Sequence, residues 1–188
     1  MKTLYIERSA GTGRDGNWVE ELDLDGVTRI VIGTGPGSFA GVRSAIAFAT
    51  GYAIGTPCQV LGLPSPCAIA GQILEKIPPS NKRLAVVGDA RRGKFWIALF
   101  DGYSLLRDVF LTTRSELTEV IPADFSVATA DEVRIGTTLK EVFTDRYMGG
   151  GIPTAKGLEA FANKNEGLLT PNPLPIYLNP AVRTDPEC

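Results

Sequence analysis

The sequence predicts an α/β fold in two halves, and three observations carry that reading. Residues 27–76 alternate strand, helix, strand and helix, the order of parallel strands joined by right-handed crossovers. Residues 84–112 read instead as three consecutive strands, a β-meander. Between them Pro78-Pro79-Ser80-Asn81 breaks both patterns, so the halves are assigned to residues 1–81 and 82–188.

Taken in order, residues 3–7 (TLYIE) form a short strand and residues 9–16 a glycine-rich turn. Residues 17–24 read as a second strand with Trp18 facing inward. Asp25-Gly26 is a tight hairpin signal that pairs this strand with residues 27–32. The 27–32 run is almost wholly apolar and β-branched, the composition of a strand covered on both faces. A glycine-rich loop follows over 33–41. Ser38 is a good N-cap for a helix over 39–54, with Val42, Ala45, Ile46, Ala49 and Ala53 on its apolar side. Gly55-Thr56-Pro57 ends that helix. A strand at 59–61 and a helix over 66–76, with Pro66 in its first turn, complete the first half.

The meander comprises strands at 84–88, 94–100 and 105–112, with turns at Gly93 and Asp101-Gly102. Thr113-Arg114-Ser115-Glu116 is a capping box, so a short helix runs to Val120. Residues 125–130 read as a strand, 140–143 are ambiguous, and 148–153 are a flexible or tight glycine run. Residues 155–165 form an amphipathic helix through Leu158, Phe161 and Ala162. The proline-rich end is extended, with Ile176-Tyr177-Leu178 docked on the body.

Composition narrows the function. A net charge of −2 over 188 residues argues against a chain that binds nucleic acid by itself through a broad basic face. Lys82, Arg83, Arg91, Arg92 and Lys94 still lie close in sequence, and a solvated turn is the favoured account of them. Cys58, Cys67 and Cys188 have no metal-ligand spacing and read as free thiols of a reducing, cytoplasmic compartment. Residues 44–74 carry no charge, yet prolines divide them into pieces too short to span a membrane. The chain contains no histidine. That absence removes Ser-His-Asp and Cys-His nucleophiles, histidine zinc sites and imidazole bases.

The loop invites a phosphate, because a helix N-terminus presents free N–H groups and a positive dipole end. No Gly-Lys-Ser/Thr follows Gly33, so it is not a Walker loop. Gly35-Pro36-Gly37-Ser38-Phe39-Ala40 matches a dinucleotide fingerprint weakly, but the acid due about 20 residues later is missing. Glu7 and Asp89, both near strand ends, could together hold magnesium; capping and turn roles are favoured. Serine and threonine nucleophiles have no evident activating base.

Three motifs in order resemble the TsaB (YeaZ) family, which also carries a "glycoprotease-like" label. Gly33, Gly35, Pro36, Gly37, Ser38, Phe39, Gly41, Val42 and Arg43 match G-x-G-P-G-S-F-T-G-[LV]-R, with Ala40 replacing Thr. Asp89-Ala90-Arg91-Arg92-Gly93-Lys94-Phe95-Trp96 matches D-A-R-x-G-x-[VFIY]-[YW]. Pro175-Ile176-Tyr177-Leu178-Asn179 resembles P-x-Y-L-R, with Asn for Arg.

The resemblance implies an actin-like, sugar-kinase (ASKHA) fold of two ribonuclease-H-like halves. It implies a non-catalytic, cytoplasmic subunit for N6-threonylcarbamoyladenosine formation in tRNA, reaching tRNA only through its complex. Its partners would be a TsaD-type catalytic subunit, which binds metal through histidines, and a TsaE-type ATPase. A homodimer, and a nucleotide at a subunit junction, are left open. No residue is expected to be catalytic, no cofactor tightly bound and no metal held. Gly35, Pro36, Gly37, Ser38, Phe39, Gly41 and Arg43 are the expected partner- or ligand-binding residues, and Asp89, Arg91 and Arg92 the interdomain-cleft residues.

The first 26 residues depart from that pattern. Ile6-Glu7-Arg8 stands where the family has I-D-T, and about 20 residues replace a hairpin and a long helix. The first half is therefore expected to lack one strand and that helix, leaving residues 39–54 more exposed or differently covered. Two other readings stand beside the scaffold subunit: a diverged dimerising module without a tRNA role, and a stand-alone ATPase of the sugar-kinase type. The last needs an acid and a phosphate hairpin on the first strands, of which residues 7–13 are a poor version.

Overall fold

A computed structural model describes residues 2–10, 18–77 and 82–178. The turn expected within residues 11–17, the linker at 78–81, and the end from residue 179, with Asn179 and Cys188, lie outside the described residues. In the first sheet β1 (Lys2–Ile6), β2 (Val27–Gly33) and β3 (Gln59–Leu63) run parallel in the order β1-β2-β3, and β10 (Thr170–Pro171) closes the edge antiparallel to β3. Helix α1 (Phe39–Ala53) makes the crossover from β2 to β3, and helix α2 (Pro66–Ile73) leads from β3 to the second sheet.

The second sheet is mixed. β4 (Arg83–Arg91) pairs antiparallel with β5 (Lys94–Asp101) and parallel with β8 (Ser126–Thr129), which pairs parallel with β9 (Tyr147–Gly150). β6 (Ser104–Leu105) and β7 (Phe110–Thr113) both pair antiparallel with β5. Helices α3 (Leu117–Val120), α4 (Glu132–Phe143) and α5 (Ala155–Ala162) complete the fold.

The period-2 alternation of side chains assigns each strand to two cores. On β2, Ile30 and Ile32 face α1 with Ala45 and Ala49, while Val31 faces the opposite way. On β4, Leu84 and Val86 join that central core with α2 and α5; Ala85 and Val87 face Leu117, Ile135, Leu139 and Phe143. On β5, Trp96, Ala98 and Phe100 are central, and Phe95, Ile97 and Leu99 are outer. The layers therefore run α1, first sheet, α2 with α5, second sheet, α3 with α4. Helices on both faces of each sheet are why β2, β4 and β5 read as near-continuous apolar runs.

Three expectations are corrected, and one ambiguity is resolved. Among the described residues, 18–26 are turns and irregular chain and not a strand, because both edges of β2 are already taken by β1 and β3 in parallel. Trp18 still faces inward and packs edge-on against Phe48 of α1 at 5.4 Å, while the Tyr52 hydroxyl donates to the Leu24 carbonyl. The third meander strand is split into β6 and β7. Residues 148–150 belong to strand β9, not to a flexible or tight run. Residues 140–143 end α4, a full helix that buries Ile135, Gly136, Leu139 and Phe143.

The two central helices touch through glycine. A Cβ on Gly71 of α2 would lie 2.1 Å from the Gly157 carbonyl oxygen, and one on Gly157 of α5 would lie 2.2 Å from the Ala68 carbonyl oxygen. Neither oxygen is the end of a flexible side chain, so the helices themselves must separate to admit a methyl group. Gly157→Ala is expected to destabilise the fold by about 1–3 kcal/mol in urea titrations, the usual cost of overpacking. Val133→Ala, at a side chain 99% exposed, should change stability by less than about 0.5 kcal/mol.

Candidate functional site

The glycine-rich loop leaves β2 where β1 also ends, so segment 7–9 and loop 34–38 are pressed together. Glu7, at the end of β1, turns its carboxylate inward. Its Oε1 accepts the Ser9 N–H at 2.7 Å and the Ser65 hydroxyl at 3.1 Å. Ser65 Oγ in turn accepts the Gly35 N–H at 2.9 Å, and the Ser65 N–H donates to the Gly35 carbonyl at 2.9 Å. One carboxylate thus ties the end of β1, the loop and the start of α2 into a single unit.

The glycines accommodate the chain's own backbone and side chains. A Cβ at Gly33 would sit 1.9 Å from Glu7 Oε2, one at Gly37 2.4 Å from the Ser9 carbonyl oxygen, and one at Gly41 2.1 Å from the Arg8 carbonyl oxygen. Gly35 is needed for a second reason, its φ of +86°. Donors that could meet an anion are engaged as well. The Ser38 N–H donates to the Ser9 carbonyl at 2.6 Å, the Gly41 N–H to Ser38 Oγ at 3.2 Å, and the Thr34 N–H to the Leu63 carbonyl at 2.9 Å. Ser38 is the N-cap expected from the sequence.

Beside this unit lies a cleft of about 550 Å³ between the strand ends of the two sheets. Pro36, Gly37, Ser38 and Phe39 form one wall, and Asp89 and Arg91 form part of the other. Gly35, Gly41 and Arg43 stand behind the first wall, outside the lining. The Arg43 guanidinium lies 3.8 Å from the centre of the Phe39 ring and 5.3 Å from that of Tyr177, and its Nε donates to the Tyr177 hydroxyl. The C-terminal segment is held there by the Ile176 N–H, which donates to the Thr34 carbonyl at 2.8 Å. Phe39 and Tyr177 are each half exposed, so the Arg43 cluster is a surface feature at the cleft rim.

On the second wall Asp89 is mostly covered. Its Oδ1 accepts the Arg91 N–H at 2.7 Å, and its Oδ2 lies 3.4 Å from the Arg91 guanidinium and 3.9 Å from that of Arg134. Arg134 is held more closely by Asp131, at 2.9 Å. Trp96 lies flat against Gly88, where a Cβ would meet its ring at 2.1 Å. Arg92 is exposed at the β4–β5 turn, outside the cleft.

Sequence reasoning brought the loop, Asp89 and Arg91 to one place but missed Ser65, Asp131 and Arg134. Ser65 sits between two prolines, and nothing beside it in sequence marks its bond to Glu7. Asp131 and Arg134 sit at a helix whose internal Gly136 and threonines hid it. Tyr177 was within a quoted motif, so its docking was legible.

Burial pushes the Glu7 carboxyl above its ordinary value of 4.5, against the lowering effect of the Ser9 and Ser65 donors. A carboxyl with a raised folded-state pKa holds its proton more tightly folded than unfolded. Stability therefore falls as pH rises from 4.5 through that folded value, and the loss is complete above it. Glu7→Gln should flatten this part of the pH–stability curve measured by urea titration.

A family model described as TsaD, tRNA N6-adenosine threonylcarbamoyltransferase, matches residues 19–117, more than half of the chain. No protein of curated function matches the sequence. Among solved structures, YeaZ from Pseudomonas aeruginosa is similar at 21% identity with a TM-score of 0.62, covering 85% of this chain and 79% of that one. A second, described as a protein with similarity to the peptidase YeaZ from Pseudomonas aeruginosa, is 22% identical with a TM-score of 0.65, covering 90% and 82%. At such identities the likeness is one of fold. The histidine-bound metal that a catalytic member implies does not fit this chain, which has no histidine. Among the described residues no three acidic or cysteine side chains gather to replace it. No helix among the described residues is long and apolar enough to cross a membrane.

Proposed function

This chain belongs to the family of TsaD, tRNA N6-adenosine threonylcarbamoyltransferase, with a YeaZ (TsaB)-type fold, and on that premise we propose that it is a non-catalytic binding subunit for that tRNA modification. The observation that carries the reading is the occupied loop. Its glycines are filled by segment 7–9, and the Gly35, Ser38 and Gly41 N–H groups are bonded within the chain. A loop in this state supports protein architecture and leaves little for a transferring phosphate. The missing histidines point the same way.

The role so proposed is pairing with a TsaD-type catalytic subunit, with a TsaE-type ATPase as the third component. Phe39, Arg43 and Tyr177 supply the contact: two half-exposed aromatic rings and a planar cation already ordered among themselves. Arginine and tyrosine pre-ordered in this way lose little entropy on docking and are frequent interface anchors. Any nucleotide of the assembled complex is assigned by this reading to the junction of subunits. A diverged dimerising module is the second reading. It is favoured by the flank of α1 that Trp18 and the 18–26 turns cover where the family's long helix is expected.

Co-purification with the TsaD-type subunit of the same organism tests the pairing. The wild-type chain should be retained, and Arg43→Glu should weaken retention at least about tenfold while its melting temperature stays within a few degrees. Threonylcarbamoyladenosine, measured by nucleoside mass spectrometry in a deletion strain, should fall and be restored by the wild-type gene. Normal levels in the deletion strain would favour the dimerising module.

A further inference from the structure

The β4–β5 hairpin closes with a backbone that its residues fit poorly. Arg91 pairs with Lys94, which leaves Arg92 and Gly93 as a two-residue turn. Their φ values are +54° and +71°, and the preceding Arg91 also lies at +67°. Two successive positive φ values define the turn favoured by Asn-Gly or Gly-Gly, whose residues adopt that region readily. A long side chain there brings its Cβ against the backbone, and this hairpin places two arginines in succession in that region. A β-bulge between Asp89 and Arg91 sets the first of them.

The side chains so presented are cationic and outward. Arg91 is 63% exposed, and Arg92 and Lys94 are exposed beside it. Arg91 is partly neutralised by Asp89, and Lys94 lies near enough to Glu116 to stabilise that carboxylate. Arg92 has no hydrogen-bond or ion-pair partner among the described residues. In a chain of net charge −2, this strained tip at the rim of the cleft thus carries the exposed positive charge of Arg92 beside the partly balanced Arg91 and Lys94.

We propose that this tip, with Arg92 at its head, contacts the phosphodiester backbone of the tRNA substrate, an inference that rests on the tRNA-modification reading above. Guanidinium groups match phosphate oxygens with paired N–H donors and remain charged throughout the working pH range. Phosphate contact needs no base-specific geometry, so an exposed cationic hairpin end can make it without reading sequence.

The test is binding of an unmodified tRNA transcript, followed by fluorescence anisotropy across a salt series. It is run with the chain alone and with the catalytic subunit. Arg92→Gly should weaken binding by roughly 3- to 10-fold and reduce the salt slope by about one phosphate's share, 0.7–0.9. The same substitution relieves the turn, so its melting temperature should rise by roughly 2–4 °C. Arg92→Lys retains the charge and should bind within about threefold of wild type. The proposal is overturned if Arg92→Gly binds tRNA as tightly as wild type. It is also overturned if neither the chain nor the complex binds tRNA at about 50 mM salt. Polyglutamate that displaces tRNA at equal charge concentration overturns it in favour of an acidic protein segment. Co-purification of Arg92→Gly with the catalytic subunit separates the two claims: retention with unchanged tRNA affinity sinks the hairpin contact alone, whereas loss of pairing by the wild-type chain sinks the parent reading.

Discussion

Two backbone carbonyls, those of Arg8 and Ser9, set the geometry on which the first half depends. They lie where Cβ atoms at Gly41 and Gly37 would otherwise be, and the Ser9 oxygen accepts the Ser38 N–H. The chain leaving β1 is thereby wedged beneath the start of α1. Glycine at those positions follows from exclusion, since no other residue leaves room for a neighbouring main chain. From this contact follow the direction of α1, the wall of the cleft and the place of Glu7. The wedge brings β1, the loop and α2 together, so Ser9 and Ser65 both donate to Oε1 of this buried carboxylate, while Oε2 has no hydrogen-bond partner among the described residues.

The second half meets the cleft through an equally crowded contact. Gly88 and Trp96 are cross-strand partners, and the indole occupies the space a side chain at 88 would need. Asp89 then turns back to accept the Arg91 N–H and sits between two guanidinium groups. The motif around residues 89–96 thus combines strand pairing, a buried ring, an acid held by arginines and a strained turn within eight residues. Its rigidity comes from the buried strand behind it, where β4 and β5 are apolar on both faces.

Legibility in the sequence followed how local each cause was. β2, β4, β5 and α1 were plain because burial on both faces, or an N-cap with spaced apolar residues, leaves a mark within a few residues. The 17–24 strand failed because Asp25-Gly26 specifies a tight turn without specifying which strand pairs with β2. That choice was made by β1, 20 residues away, and by β3. Helix α4 was obscured because Gly136 and two threonines lower local propensity, while its stability comes from Ile135, Leu139 and Phe143 against β4 and β8. At the site, the loop and the Asp89 motif were legible as patterns. Ser65 was not, since its meaning lies in Glu7, 58 residues earlier.

A strand, a glycine-rich turn and a helix can serve two ends that look alike in sequence. In a phosphate cradle the glycines leave space for ligand oxygens and the first N–H groups of the helix point into it. Here the same positions are occupied by Glu7, Arg8 and Ser9, and the N–H groups of Gly35, Ser38 and Gly41 are bonded within the chain. To admit a phosphate, segment 7–9 would have to withdraw, exposing the buried carboxylate it carries and freeing Ser65. Segment 7–9 and an anion in that space therefore exclude each other sterically. With the cradle closed and the cleft kept, the rim carries Arg43 between its two rings on one side and the arginine hairpin on the other.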